Sequence, residues 1–446
     1  MIAIILALTT RNIIFSLLGG VFLASLFIEE MNIVYGIDHF FTLFYNLLQE
    51  TWIIKTLLFA VLVGSIIEVL ERSGAIESFV AYVQEQKQWI NSDKSALLLS
   101  YFLGVVIFIE SSITSLVSGA VGRVFLKKYT IPSAKLAFVC DSTSAPVSSI
   151  LVFNGWGALL LGLITTQVDN GILTIDPVAC LQDAVLYNYY AFFALIVTFV
   201  SIYFSIDIGA MKDAKYQNET QITSTHYTGK DATLLPMVIP LVLLVFFVFV
   251  YLFITGNGNI FKGSGSSAIF YSVITILPIM YFMYIKTDRL DTKEYILAVL
   301  VGARKLFTMA LILLCAFAIG HVTQEMGTGK YLATFAHSHI SATWLATIIF
   351  LVSSVIAFAT GTSWGTFSIM LPIAIAMGVD MQVDIPLVVG AVISGGVFGD
   401  HCSPISDTTI ISSLASGCDV IEHVKTQLPY ALISAIFACC AFYIAS

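Results

Sequence analysis

Charge is scarce in this sequence of 446 residues. Asp, Glu, Lys and Arg together make up 11% of the chain, while 58% is hydrophobic. A soluble domain carries roughly a quarter charged residues. The shortage therefore excludes an ordinary soluble protein and leaves a polytopic membrane protein. The mean hydropathy of +0.94 agrees. Several motifs are missing as well. Without GxxxxGK[ST] the chain has no nucleotide-binding loop, which argues against ATP-driven pumping. HExxH and a selectivity-filter repeat are absent too, and the basic residues form no nucleic-acid patch. The reading is of a non-enzyme with no cofactor. Cys140, Cys180, Cys315, Cys402, Cys418, Cys439 and Cys440 make no CxxC or metal-ligand spacing, so they read as small hydrophobes without disulfides. The first segment has no basic start and no clear cleavage site, so it does not read as a signal peptide.

What is present is a series of apolar runs of spanning length, about 20 residues each. They fall near 11–28, 51–70, 186–206, 234–255, 266–285, 306–324 and 428–445, with interrupted apolar regions at 95–122, 133–166 and 341–416. Lys and Arg concentrate in 72–94, 123–135, 208–231 and 286–305, and are sparse in 29–50, 167–185, 256–265 and 326–340. The positive-inside rule puts the first set in the cytoplasm. Segments 72–94 and 123–135 then lie on one side, so 95–122 predicts a re-entrant hairpin rather than a single crossing. The same logic predicts a hairpin at 341–378, entering from the opposite side.

After each hairpin comes an apolar stretch that proline and polar residues interrupt. In 133–166 the interruption is predicted at Asp141-Ser142-Thr143-Ser144-Ala145-Pro146, and in 386–416 at Gly399-Asp400-His401-Cys402-Ser403-Pro404. Ser144-Ala145-Pro146-Val147-Ser148-Ser149 matches Cys402-Ser403-Pro404-Ile405-Ser406-Asp407 in pattern. The predicted fold is all-α, with about ten to eleven membrane segments and an inverted repeat of hairpin and broken helix. Its first repeat covers 1–208, a cytoplasmic linker 209–231 and the second repeat 232–446. Two broken helices in corresponding places point to a secondary transporter with its site between them. Segment 72–92 alternates charged and apolar residues and reads as an amphipathic interfacial helix.

Four polar elements should meet at mid-membrane. They offer Glu110, Asp141, Asp400 and Asp407, with hydroxyls from Ser111, Ser112, Ser142, Thr143, Thr362, Ser363 and Ser403. An acid in hydrocarbon needs water, an ion or a partner. Carboxylates, hydroxyls and freed carbonyls suit a hard cation such as Na+. The same carboxylate, desolvated and without the cation, binds a proton instead. Each residue also has a plainer reading. Ser and Thr bond carbonyls one turn back or glue helices together. Asp141 and Asp400 could cap half-helices. Glu110 could pair with Arg123 or Lys135, and Asp407 could lie too far along its helix. His401 could relay protons, support Asp400 or merely line the site. Gly155-Trp156-Gly157 and Gly395-Gly396 read either as close packing or as joints.

Phe398-Gly399-Asp400-His401-Cys402-Ser403-Pro404-Ile405-Ser406-Asp407-Thr408-Thr409, with Gly361-Thr362-Ser363-Trp364-Gly365-Thr366, resembles the NhaC family of sodium/proton antiporters. The opening Leu8-Thr9-Thr10-Arg11 and the Asp141–Pro146 stretch are similar to that family as well. The resemblance implies the larger ion transporter superfamily, with its inverted repeats and two hairpins, a bacterial inner membrane and a homodimer. Exchange of Na+ for H+ is the first expectation, with Asp141 and Asp400 as principal sodium ligands. Sodium-coupled carriage of a small organic acid or amino acid is the second, motivated by the hydroxyl-rich turns at Ser111-Ser112 and Thr362-Ser363.

Overall fold

A computed structural model describes residues 13–85, 90–108, 111–151, 154–215, 233–258, 263–326 and 341–446. Among them, all regular structure is helical. Nine helical stretches of the described residues are long and apolar enough to cross a membrane. The chain is a multi-pass membrane protein. The amino-terminal group is α1 (Ile13–Ile28), α2 (Ile33–Leu47), α3 (Thr51–Arg72) and α4 (Ala75–Glu85). Then come α5 (Asp93–Val106), α6 (Ser111–Tyr129), α7 (Ser133–Ile150), α8 (Gly155–Asp169), α9 (Pro177–Leu186) and α10 (Tyr189–Tyr203). The central group is α11 (Leu235–Thr255), α12 (Gly265–Lys286) and α13 (Thr292–Glu325). The chain closes with α14 (Ala342–Thr360), α15 (Ser363–Asp380), α16 (Ile385–Cys402), α17 (Asp407–Ser416) and α18 (Val420–Ala445).

Several boundaries differ from the sequence reading. Segment 286–305 is not an extended loop, because α13 begins at Thr292 and carries Arg304 and Lys305 within its helix. Lys305 bridges Glu68 at 2.5 Å, and Glu68 also holds Arg72 at 2.7 Å, so these charges tie α3 to α13. The two helices cross at Gly64 and Gly302, where a Cβ on either would strike the backbone of the other. The presumed outer loop 29–50 is mostly α2. Asn32 caps it through the amides of Val34 and Tyr35, and Leu43 and Leu47 are buried while Phe41 and Tyr45 are exposed. The last helix begins at Val420, capped by Asp419, well before the apolar run from 428 that announced it.

The interruptions also move. α7 passes through Pro146 and ends at Ile150, so the chain does not break at Asp141–Pro146. Hydroxyls in this stretch bond back to carbonyls of their own helix: Thr143 Oγ1 donates to Val139 O, Ser144 Oγ to Asp141 O and Ser149 Oγ to Pro146 O. α7 ends instead at the segment before Asn154. The Asn154 Oδ1 accepts from the amides of Trp156 and Gly157 and so starts α8. Its Nδ2 donates to the carbonyls of Phe108, Ser148 and Leu151, fastening this break to the turn after α5.

In the second half α16 runs through Gly399 to Cys402, and the break is Ser403–Ser406. Gly399 is not a breaker. A Cβ there would strike Ser354 O, so the glycine is needed for close packing on α14. Pro404 sets the break by holding Ser403 extended, at φ −84° and ψ 127°. Gly395 and Gly396 likewise serve contact, against Phe350 O and the Phe367 ring. α14 ends at Gly361, which adopts φ +66°, a left-handed cap that favours glycine.

The packing is reciprocal. α6 lies on α7 and also on α17, the short helix after the second break. α15 lies on α16 and also on α8, the helix after the first break. Each second hairpin arm thus rests on the broken helix of the other half. The opening Leu8–Arg11, Glu110 and residues 216–231 of the linker lie outside the described residues.

Asn154→Ala should lower stability by about 2–4 kcal/mol, from a lost cap plus buried carbonyls left without donors. Asn154→Ser keeps a capping oxygen without setting a second acceptor against those carbonyls, and should lose less. Thermal melts of the purified protein check the order wild type, Ser, Ala.

Candidate functional site

Every residue of α7 from Ser133 to Ser149 is buried. A helix enclosed on all sides in a membrane protein must satisfy its polar side chains against other helices. Asp141 sits in this stretch, fully buried. Gln427 Nε2, from α18, donates to its Oδ2 at 2.7 Å. Thr409 and Ser412 of α17 bring hydroxyls 3.4 Å from Oδ2 and 3.5 Å from Oδ1. Ser412 in turn meets Ser115 of α6 at 3.0 Å. Two imidazoles close the ring: His401 Nε2 and His423 Nε2 each stand 3.8 Å from Oδ2. No Lys or Arg contacts Asp141 among the described residues.

The imidazoles are themselves fixed. His401 Nε2 is 3.2 Å from Ser142 Oγ, and its Nδ1 is 2.6 Å from the Tyr190 hydroxyl of α10. His423 Nδ1 is 2.8 Å from Ser413 Oγ, and its Nε2 is 2.9 Å from Gln427 Oε1. Gln427 also donates to His401 O at 2.5 Å. One amide therefore links the carboxylate, the backbone of α16 and the second imidazole. The ring draws on α6, α7, α10, α16, α17 and α18.

Asp400 and His401 are consecutive on α16 and so point about 100° apart. His401 faces α7, α10 and α18, whereas Asp400 faces α15, where Ser363 Oγ donates to its Oδ2 at 2.9 Å. Ser363 is the first residue of α15 and also bonds Gly396 O. The last turn of α16 therefore has two working sides, one on the Asp141 ring and one on the hairpin turn.

The sequence candidates divide accordingly. Asp141, Ser142 and His401 come together, and Asp400 and Ser363 form a second pair. Thr143 follows the plainer reading, bonding Val139 O. Ser403 Oγ donates to Phe358 O, so it ties the second break to α14. Thr362 precedes α15 without capping it through its side chain. Ser111 is buried at the start of α6. Ser112 is also in α6, and Asp407 opens α17. The side chains of these two, and all of Glu110, lie outside the described residues. Lys135, one suggested partner for Glu110, bonds Asp207 instead.

Sequence reasoning missed His423, Gln427, Tyr190, Thr409 and Ser412. The signal existed for the first two: they stand four residues apart, one face of a helix, but the apolar run that marked α18 starts only after them. Tyr190 looked like an ordinary aromatic in an apolar helix, and nothing in its neighbours announces His401. Among the described residues, no group of three or more His, Cys, Asp or Glu side chains could hold a metal ion. A carboxylate among hydroxyl, amide and imidazole groups can chemically take up either a proton or a hard cation.

A sequence model of the Na+/H+ antiporter family matches residues 153–446. An uncharacterized protein of Haemophilus influenzae is 32% identical over 97% of this chain and 86% of its own length. The malate-2H+/Na+-lactate antiporter of Bacillus subtilis is 44% identical over 90 residues, 20% of this chain and 19% of that protein. Among solved structures, the YdaH transporter of Alcanivorax borkumensis superposes with a TM-score of 0.62 at 12% identity, over 92% of this chain and 88% of that one. That likeness is one of fold.

Gln427→Leu removes the donors to Asp141 and His401 O together. Losing a hydrogen bond to a charged group costs about 1.5–3 kcal/mol, so the melting temperature of the purified protein should fall by several degrees. Gln427→Glu, which cannot donate when ionised, should fall further and recover as the pH is lowered.

Proposed function

The chain belongs to the Na+/H+ antiporter family, and on that footing we propose that it exchanges Na+ for H+ across a bacterial inner membrane, with Asp141 as the carboxylate that the two ions share. The observation that carries the assignment is the placement of Asp141. It is fully buried, has donors on both oxygens, and has no fixed cation among its described contacts. A permanent ion pair would hold one charge state. A ring of neutral donors lets the carboxylate change partners.

With sodium present, Asp141 supplies the charge, and the hydroxyls of Ser142, Thr409 and Ser412 supply further oxygens. With sodium gone, the carboxylate takes a proton, and His401 and His423 stand within reach of it. Because one group serves both ions, binding of either excludes the other. That exclusion is the thermodynamic core of exchange and needs no ATP. Asp400 is the second proposed carboxylate. Through Ser363 it couples α16 to the α14–α15 hairpin turn, so a change at this turn reaches the Asp141 ring through one helical turn.

Alternating access requires two arrangements of the packed halves. The reciprocal contacts of α6 with α17 and α15 with α8 support an inverted repeat, in which the second arrangement exchanges the roles of the two hairpins. A second reading is also supported: the similarity to a malate-2H+/Na+-lactate antiporter favours a small organic acid moving with the ions.

In proteoliposomes holding only this protein, an added NaCl gradient should drive a pH change. Asp141→Asn should bring it to background while the protein stays folded, and Asp400→Asn should raise the sodium concentration at half-maximal rate. Exchange retained in Asp141→Asn would remove Asp141 from the mechanism. No sodium-driven pH change in the wild type, with proton movement appearing only when an organic acid is supplied, would establish the second reading.

A further inference from the structure

We infer that Lys135 is a positioning residue for the Asp141 ring, acting through a buried cage that locks α7, α10 and α18 in one register; the inference rests on the proposed role of Asp141. Lys135 lies in the first turn of α7 and is only 4% exposed. A buried ammonium is costly unless paired. Here Nζ donates to Asp207 Oδ1 at 2.6 Å, to Ser201 Oγ at 2.5 Å and to Ile206 O at 3.4 Å. The rings of Phe138 and Tyr430 form its walls, with Nζ 5.8 and 5.2 Å from their centroids. Those rings are stacked on each other at 4.5 Å. The Tyr430 hydroxyl lies 3.2 Å from Ile206 O and accepts from the amide of Ile208 at 3.0 Å.

Lys135, Phe138, Ser201 and Tyr430 come from the helices that build the ring, while Ile206 and Asp207 lie in the loop just after α10. α7 carries Lys135 and Phe138, then Asp141 less than two turns on, about 9 Å along the axis. α18 carries Gln427 and, one turn later, Tyr430. α10 carries Tyr190, which holds His401, in its first turn, and Ser201 near its end. An ammonium in a cage with a carboxylate, a hydroxyl, a carbonyl and two rings has one geometry. The cage is therefore suited to set the rotation of α7 and α18, and with it the approach of Gln427 and His423 to Asp141. Nothing in the exchange chemistry uses Lys135 directly, which separates its role from that of the ring.

The test is Lys135→Met, similar in length but uncharged, with Lys135→Arg as the conservative control. Sodium binding to the purified full-length protein is followed by calorimetry, and sodium-driven pH change by proteoliposomes. Displaced ligands weaken binding, so Lys135→Met should raise the half-saturating sodium concentration about tenfold, the equivalent of about 1.4 kcal/mol of lost binding. The maximal rate should change less, and Arg should restore most of the loss. A purely stabilising role would reduce the yield of folded protein but leave the sodium dependence of each folded molecule unchanged; that result overturns the inference. If Lys135→Met does not fold, Asp207→Asn replaces it and is read in the same way, since the Asp207 side chain is 40% exposed and leaves no buried hole. A wild type that neither binds sodium nor exchanges it sinks the functional reading instead. Hydrogen–deuterium exchange then decides the cage alone: faster exchange in 137–145 and 423–430 in Lys135→Met upholds it, and unchanged exchange overturns it.

Discussion

A carboxylate enclosed in a membrane protein admits few solutions, and much of this structure is the solution adopted for Asp141. Hydrocarbon offers no donors, so each oxygen must find its partners on other helices. One helix cannot supply them. Gln427 comes from α18, Thr409 and Ser412 from α17, and the imidazoles from α16 and α18. That demand accounts for features that look unrelated along the chain. α17 must be short and turned inward after Ser403–Ser406, α18 must start early enough to carry His423, and α7 must remain a helix past Pro146. The scaffold formed by α3 and α13 meets a different demand, satisfying its own buried acid, Glu68, with Arg72 and Lys305.

Much of the architecture was legible in the sequence because hydrocarbon imposes length and composition on every span. Low charge and run length gave the all-helical, multi-pass class and two helices followed by interruptions. What failed was the position of the interruptions. Proline and polar residues in 141–146 predict a break, yet a helix enclosed by its neighbours runs through them to Ile150. The signal that mattered was Asn154, whose capping of Trp156 and Gly157 is local, but whose tie to Phe108 no local pattern reveals. In the second half, Gly399 was read as a breaker when its purpose is to let α16 approach α14, a tertiary fact.

The site was legible by residue type and obscure by partnership. Asp141, Asp400 and His401 stood out because such residues are rare in apolar sequence. That Asp400 and His401 belong to two different neighbourhoods follows only from the rotation between consecutive helix positions. Gln427 and His423 were hidden because hydropathy marks where a helix is apolar rather than where it starts. Polar residues at the edge of an apolar run are easily assigned to the loop.

The reciprocal packing of the halves bears on how such a chain is made. Asp141 and its partner Thr409 are 268 positions apart. At 5–20 residues per second, on the order of 10–50 s separates the synthesis of one from the other. Throughout that interval α7 exists without α17 or α18, and its carboxylate has none of the donors that those helices bring. The first half cannot reach its final state alone, and neither can the second, since α15 rests on α8. Asp141 therefore gains its final surroundings only once the last helices of the chain have been made.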